Sequence, residues 1–388
     1  MKKRIQVVDG LRGFSLLGIL IANMLYFQYA NITVEAVQPS TWWDQGAYYF
    51  TKIFVEGSFV PIFGFLFGYG VVLFVRSLEN RGSSARGPLW RRAIGLMVLG
   101  ILHMIFVWDG DILLIYGSGL VMFMAFVKRK VKTMLIWAIV LTLCTMPFLL
   151  VKTDFLALAF TDTKAAGDVL KNGTYLEIVK YRIGIPDDIS SLIMAIALPF
   201  VLAFLVILSF IMVGPTVLLG MAAAKVGFFT DIEEKISLLK RLSFFIPAGL
   251  VCKALLYWDH FAGKLLYGAG TYMLAIGYIA AFTYLFISMK ENKLSKAFVN
   301  LGRLSLTNYL MQSVICTTIF YSYGFGFFGE LGVALGLMIA FVIYSLQLLF
   351  ANLYVQRFTI GPVEWILRKF VYLAKGRAQG SAGYTAKE

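Results

Sequence analysis

Charge is scarce in this chain, and so are histidine, cysteine and proline. Of 388 residues only 14% are charged and 60% are hydrophobic, with two histidines, three cysteines and nine prolines. Soluble domains run nearer ~25% charged and ~45–50% apolar, so a water-soluble globule of this size is excluded. Cys144, Cys252 and Cys316 lie far apart in apolar stretches, with neither metal-ligand spacing nor a disulfide framework. No metal site is expected. Nothing in the sequence has the form of a nucleic-acid-reading module. No small-residue cleavage site follows the first apolar run, so the basic start MKKRIQVVDGLRG reads as the flank of a first span, not as a removed signal.

What is abundant is apolar length. Mean hydropathy is +0.79, with 34 Phe and 15 Met, and the apolar runs recur from end to end, which excludes a single anchor on a soluble domain. A bilayer crossing needs about 20 mainly apolar residues. Ten stretches qualify, at about 11–30, 48–75, 93–109, 112–127, 133–151, 190–223, 243–258, 267–288, 304–322 and 331–354. The expected fold class is therefore all-α, a polytopic transmembrane helix bundle in the cell (plasma) membrane. Lys and Arg number 35 against 21 Asp and Glu, a net charge of +14. With the N-terminus inside, 27 of the 35 fall on the cytoplasmic side, and only Lys52, Lys152, Lys164, Lys171, Lys180, Arg182, Lys253 and Lys264 fall elsewhere. That asymmetry is the positive-inside pattern, and it puts both termini in the cytoplasm, where the basic loops face anionic lipid.

Residues 1–355 read as one transmembrane domain with an external segment at about 152–189. Residues 356–376 follow as a cytoplasmic interfacial amphipathic helix beginning near Pro362, with Trp365, Phe370 and Tyr372 among Arg368 and Lys369. Residues 377–388 read as a flexible tail. No internal repeat supports an inverted-repeat transporter.

Polar side chains inside spans are costly and are the best functional pointers. Asn23 follows Arg12 by eleven residues, about 16 Å along a helix and back on nearly the same face. At 1.5 Å per residue His103 falls about 15 Å from the inner edge of its span, Glu56 about 12 Å from the outer edge, and Gln312 about 14 Å past Arg303. One midplane polar layer is the expectation. Ser305, Asn308 and Gln312 share a face by their i, i+3, i+7 spacing. Arg12 and Arg303 guard inner span ends, and WDGDILLIY supplies Asp109, Asp111 and Tyr116 at an outer turn. Each has a plainer reading: span amides most often bond neighbouring helices, His103 can be a satisfied core residue, and Asp–Gly–Asp can be a solvated hairpin. FGFLFGYG is a helix-packing face, since it lacks the Lys-Ser/Thr of a phosphate loop.

The stretches VDGLRGFSLLGILIAN (8–23), FVEGSFVPIFGFLFGYG (54–70), LHMIFVWDGDILLIYG (102–117), GRLSLTNYLMQSVICTTIFYSYGFGFFG (302–329) and QRFTIGPVEWILRKFVY (356–372) carry a resemblance to the YeiB-like bacterial membrane proteins. The opening further resembles the transmembrane acyltransferase superfamily, which includes heparan-α-glucosaminide N-acetyltransferase. The resemblance implies transfer of an acyl group, in the first instance acetyl, from cytoplasmic acyl-CoA to a small-molecule, glycan or lipid acceptor. Asp9, Arg12 and Asn23 match the shared opening. The acetyltransferases carry a histidine after the first span; here none occurs between residues 24 and 102, so the role passes to His103 and requires the third span to fold against the first. On this reading His103 is general base or covalent acyl carrier, and Asp111 or Glu56 orients its ring. Asn23 or Gln312 donates to the oxyanion. Arg12, Arg303 and Arg357 serve the CoA phosphates, with Asp9 beside them in the cofactor site, while Ser305, Asn308, Gln312 and Tyr116 line the substrate. The competing reading is a transporter or lipid-handling protein without acyl chemistry, its cargo bound at the polar layer. Membrane lipid is an expected partner and nucleic acid is not; a homodimer is compatible with the sequence but specified by no motif.

Overall fold

The computed structural model describes residues 5–30, 32–150, 163–184, 191–257, 260–289 and 292–372. The expected tail at 377–388, the end of the interfacial segment (373–376) and residues 152–162 and 185–189 of the external segment lie outside the described residues. All regular structure among the described residues is helical.

The chain runs through α1 (Gln6–Gln28), a single turn α2 (Val34–Val37), α3 (Trp42–Phe50) with a π turn at Thr51–Val55, and α4 (Phe59–Glu79). It continues through α5 (Arg86–Phe106), α6 (Leu113–Phe123), α7 (Val131–Leu150), α8 (Thr163–Asn172), α9 (Tyr175–Ile183) and α10 (Ser191–Lys225). The last third comprises α11 (Ile236–Ser243), α12 (Phe245–Ala254), α13 (His260–Ser288), α14 (Lys293–Arg303), α15 (Ser305–Phe320), α16 (Val333–Arg357) and α17 (Pro362–Tyr372).

Six helical stretches among the described residues are long and apolar enough to cross a membrane: Gln6–Gln28, Trp42–Glu79, Arg86–Phe106, Phe200–Lys225, Leu266–Ser288 and Val333–Arg357. Of the other four expected spans, three fall on the shorter helices α6, α12 and α15, and one falls on the 20-residue α7. α12 has 10 residues and α15 has 16, short of the roughly 20 that a perpendicular crossing needs. α15 is shortened by a break at Leu304 (φ −108°, ψ 27°) that separates it from α14, and by the turn beyond Phe320. The third span also begins earlier than its hydropathy suggests, because the helix extends back through Arg91 and Arg92 to Arg86.

α1 is the hub. Leu11, Leu16 and Leu20 are at most 1% exposed, and the helix touches α4, α13, α14, α15 and α16. Two of the closest helix contacts are backbone on backbone. A Cβ at Gly13 would stand 2.2 Å from the Phe298 carbonyl oxygen, and one at Gly302 only 1.8 Å from that of Asp9. α4 and α10 repeat the device, with Gly68 against the Val217 carbonyl and Gly220 against that of Phe65. Small residues serve membrane bundles in this way, since packing rather than the hydrophobic effect draws the helices together.

The bundle has two distinct ends. One, the basic end, gathers the start of α1, the end of α4 with Arg76 on the Ala224 and Lys225 carbonyls, the start of α5, and α17. The opposite end gathers Gln28 and Tyr29 on the Leu331 carbonyl, Asp44 capping α16 at Ala334, and the α8–α9 pair.

Gly220→Leu is expected to lower the unfolding midpoint in detergent and reduce the monodisperse fraction on size exclusion, since overpacking costs about 1–3 kcal/mol and here the obstruction is backbone. Gly46→Leu, where a Cβ meets nothing within 4 Å, should leave both unchanged.

Candidate functional site

The hairpin between α5 and α6 builds a histidine–aspartate pair. α5 ends at Phe106, so His103 lies in its last turn, its carbonyl taking the N–H groups of Val107 and Trp108. Eight residues on, Asp111 uses both carboxylate oxygens: Oδ1 accepts the Leu114 N–H at 2.7 Å, closing the first turn of α6, and Oδ2 lies 2.7 Å from His103 Nδ1. Both side chains are sealed, 2% and 1% exposed. The spacing survives because Gly100 leaves room; a Cβ there would stand 2.4 Å from Leu114 N and 2.6 Å from Asp111 Oδ1. With the carboxylate on Nδ1, the proton belongs on that nitrogen, and Nε2 is left as a lone-pair acceptor. Nε2 is buried and has no hydrogen-bond partner.

Aromatic rings enclose the pair. Trp108, in the turn after α5, stands edge-on to the imidazole at 6.5 Å and lies 4.2 Å from Phe27 of α1. The Tyr309 ring is 5.5 Å from the imidazole, and its hydroxyl accepts the Ile112 N–H. α8 and α9 cover the hairpin from the opposite end. Tyr175 donates to the Phe106 carbonyl at 2.9 Å, and Ser322 ties the segment after α15 to Leu170 and Gly173. α9 is held by a capping box between Thr174 and Glu177. The Thr174 N–H and hydroxyl hold the Glu177 carboxyl below the ordinary glutamate range. In the last turn of α9, Arg182 reaches the Ile105 carbonyl and stacks over the Tyr321 ring at 5.5 Å.

At the basic end a cavity of about 1250 Å³ opens between α17 and the ends of α4 and α16. Among the described residues its lining carries Arg81, Arg357, Arg368 and Lys369 with Tyr354, Phe358, Trp365 and Tyr372, and no carboxylate. The nearby Glu364 is engaged elsewhere, accepting the Leu306 and Thr307 N–H groups and the Thr307 hydroxyl at the start of α15. Beyond Tyr372, Arg92 lies within electrostatic range of Arg12 and sits over Phe74 (5.3 Å) and Phe67 (5.7 Å). Such contacts contribute about 0.5–2 kcal/mol each. Phe67 stacks on Tyr116 at 5.1 Å, and Tyr116 neighbours Tyr309. A closed aromatic column thus joins the basic end to His103. Arg92 and His103 are eleven residues apart on α5, about 16 Å at 1.5 Å per residue.

Among the described residues the polar side chains of the expected single layer fall into three groupings that no hydrogen bond joins. Glu56 pairs with Lys52 at 2.9 Å, and the buried Lys253 ammonium donates to the Glu56 carbonyl; Asp111, not Glu56, is the carboxylate on His103. Gln312 donates to Gln347 Oε1 at 2.8 Å and to the Leu16 carbonyl, Gln347 donates to the Asn308 carbonyl, and Asn308 donates to that of Leu304. These amides stitch α1, α15 and α16 together. Tyr116 donates to the Val60 carbonyl. Asn23 and Ser305 are half-buried. Arg12 pairs with Asp9 at 3.1 Å, Arg303 holds the Thr359 carbonyl beside the cavity, and Arg357 lines it.

Residues 223–374 match the family described as "Protein of unknown function (DUF418)". The chain is 32% identical to the uncharacterized protein YxaH of Bacillus subtilis (strain 168), over 96% of this chain and 95% of that protein. It belongs to the YeiB-like DUF418 family. Within that family, YeiB of Escherichia coli (strain K12) is 27% identical over 96% of this chain and 97% of its own length. An uncharacterized 39.9 kDa protein from the amylase 3' region of Bacillus acidopullulyticus is 26% identical over 97% and 96%.

For this DUF418 protein, sequence reasoning missed Arg92, Arg182, Tyr309, Tyr321 and Gln347 as site or network residues. Gln347 carried a readable signal, an amide in the middle of an apolar run. Arg182 carried none, since it sits in an ordinary amphipathic helix. Because the carboxylate at Asp111 sets the imidazole tautomer, ¹⁵N NMR of histidine-labelled His260→Gln protein should show His103 protonated at Nδ1 with bare Nε2. Asp111→Asn is expected to keep the α6 cap through its amide oxygen while its amide N–H turns to Nδ1, moving the proton to Nε2. Identical spectra for the two proteins would refute the pairing.

Proposed function

We propose that this DUF418 protein is an integral-membrane acyltransferase that moves an acyl group from acyl-CoA at the basic end to an acceptor reached from the opposite end. One observation carries the reading: a sealed histidine whose Nδ1 is engaged by a carboxylate and whose Nε2 is free. That is the arrangement of a general base held in one tautomer. Nε2 removes the proton of the acceptor hydroxyl or amine as it attacks the thioester carbonyl; the C–S bond breaks, and the proton passes from the imidazolium to the CoA thiolate.

The basic cavity fits the donor. Four cations without a carboxylate suit the phosphates of CoA, and Trp365, Tyr354 and Phe358 offer flat surfaces for an adenine. The extended pantetheine arm is comparable in length to the Arg92–His103 separation, so the thioester can approach His103 once the Phe67–Tyr116–Tyr309 column parts. The same reading gives ten membrane crossings through one domain at 1–355, termini in the cytoplasm of the cell membrane, and α17 lying at the inner interface. The helix break at Glu56–Gly57 beside buried Lys253 is the feature that favours the transporter alternative, since interrupted helices form cargo sites. Cargo movement without dependence on CoA would decide for it.

CoA-thiol release from acetyl-CoA by membranes enriched in the protein should fall about 10²–10⁴-fold in His103→Ala. The double variant Arg357→Gln/Arg368→Gln should raise KM for acetyl-CoA with little change in kcat. Full turnover by His103→Ala would sink the acyl-transfer reading.

A further inference from the structure

The cover over the His103–Asp111 hairpin holds polar groups for which the chain supplies no good partner. Arg182 sends NH1 to the Ile105 carbonyl at 3.5 Å, the limit of a hydrogen bond, while its Nε and NH2 are sealed from solvent and make none. Among the described residues no carboxylate forms an ion pair with it; Asp109 lies within electrostatic range of the neighbouring Tyr321 hydroxyl, and that hydroxyl and the guanidinium are close enough to interact with each other. Tyr321, beneath its guanidinium, is wholly buried, and the Tyr321 hydroxyl lacks a well-aligned partner. Leaving one buried donor unsatisfied costs about 1–3 kcal/mol, and more for a charged group.

The arrangement is also held in place. Tyr175 and the Thr174–Glu177 capping box anchor α9, and Ser322 anchors the Tyr321 segment to the turn between α8 and α9. Arg182, in the last turn of α9, therefore keeps its fork against the Ile105 carbonyl and the Tyr321 ring, when a freely solvated arginine would turn to water.

We propose that Arg182 and Tyr321 form a binding site for an oxyanion, the phosphate or carboxylate of a ligand arriving at the end of the bundle opposite the termini. The planar fork supplies Nε–H and NH2 for bidentate contact, and the Tyr321 hydroxyl supplies a third donor. The site adjoins the hairpin that holds His103 through the Arg182–Ile105 contact. That the anion belongs to the acceptor rests on the acyl-transfer reading; the binding does not.

The test uses the full chain in detergent, with Arg357→Gln/Arg368→Gln as background to weaken anion binding in the basic cavity, where Arg81 and Lys369 remain. The unfolding midpoint is titrated with inorganic phosphate, with acetate, and with phosphatidylglycerol in mixed micelles. Saturable stabilisation is expected, with the apparent affinity falling about 10- to 100-fold on adding Arg182→Gln, and by less with Tyr321→Phe. Stabilisation by phosphate or acetate identifies a soluble anion, and stabilisation by phosphatidylglycerol alone identifies a lipid headgroup. Equal titrations with and without Arg182→Gln, or no response to any probe, would overturn the site. If Arg182→Gln does not fold, Arg182→Lys and Tyr321→Phe carry the comparison, Lys keeping the charge without the fork. Arg182-dependent binding by a protein that never consumes acetyl-CoA would remove the acyl reading and leave this site standing.

Discussion

A polar group buried in an apolar bundle must find a partner or leave its desolvation uncompensated, and this requirement organises the molecule. Gln312, Gln347 and Asn308 satisfy one another and the Leu16 and Leu304 carbonyls. Lys253 is satisfied by the Glu56 carbonyl, and Arg12 by Asp9. Those groups hold helices together. Among the described residues, the buried atoms without a well-formed hydrogen bond include His103 Nε2, Arg92 Nε, Nε and one terminal nitrogen of Arg182, and the Tyr321 hydroxyl. The residue of the requirement, not polarity as such, separates candidate chemistry from structural glue.

Asp111 shows how economically that separation is made. One oxygen closes a helix and the other holds an imidazole, so the ring is oriented by an element that folding needs in any case. Gly100 makes the approach sterically feasible. The site is thereby rigid on the α5–α6 side, while its other walls come from α1, α9 and α15, which reach it through side chains.

The two ends differ in chemistry as well as position. The basic end gathers cations and flat rings around an open cavity, whereas the opposite end presents one guanidinium over one tyrosine above a sealed histidine. The packed aromatic column between them keeps the ends apart, so exchange between them requires side chains to move.

Much of this was legible in the residues alone. Apolar length sets helices, because a backbone in hydrocarbon must bond within itself, and six of the expected spans fall on helical stretches long and apolar enough to cross a membrane. The motif WDGDILLIY holds Asp111 eight residues from His103, near enough in sequence for the pairing to be named as one option. Partner choice was not legible. Asp111 over Glu56, Gln347 for Gln312, and Arg182 above the hairpin are decided by helices that meet only in three dimensions, across separations of up to 77 residues between Arg182 and Ile105. Hydropathy and spacing act within a helix and determined where the chain crosses from polar to apolar. Contact between helices depends on close fits such as Gly13 on Phe298 and Gly220 on Phe65, and only the packed tertiary structure could decide which polar groups those fits bring together and which they leave alone.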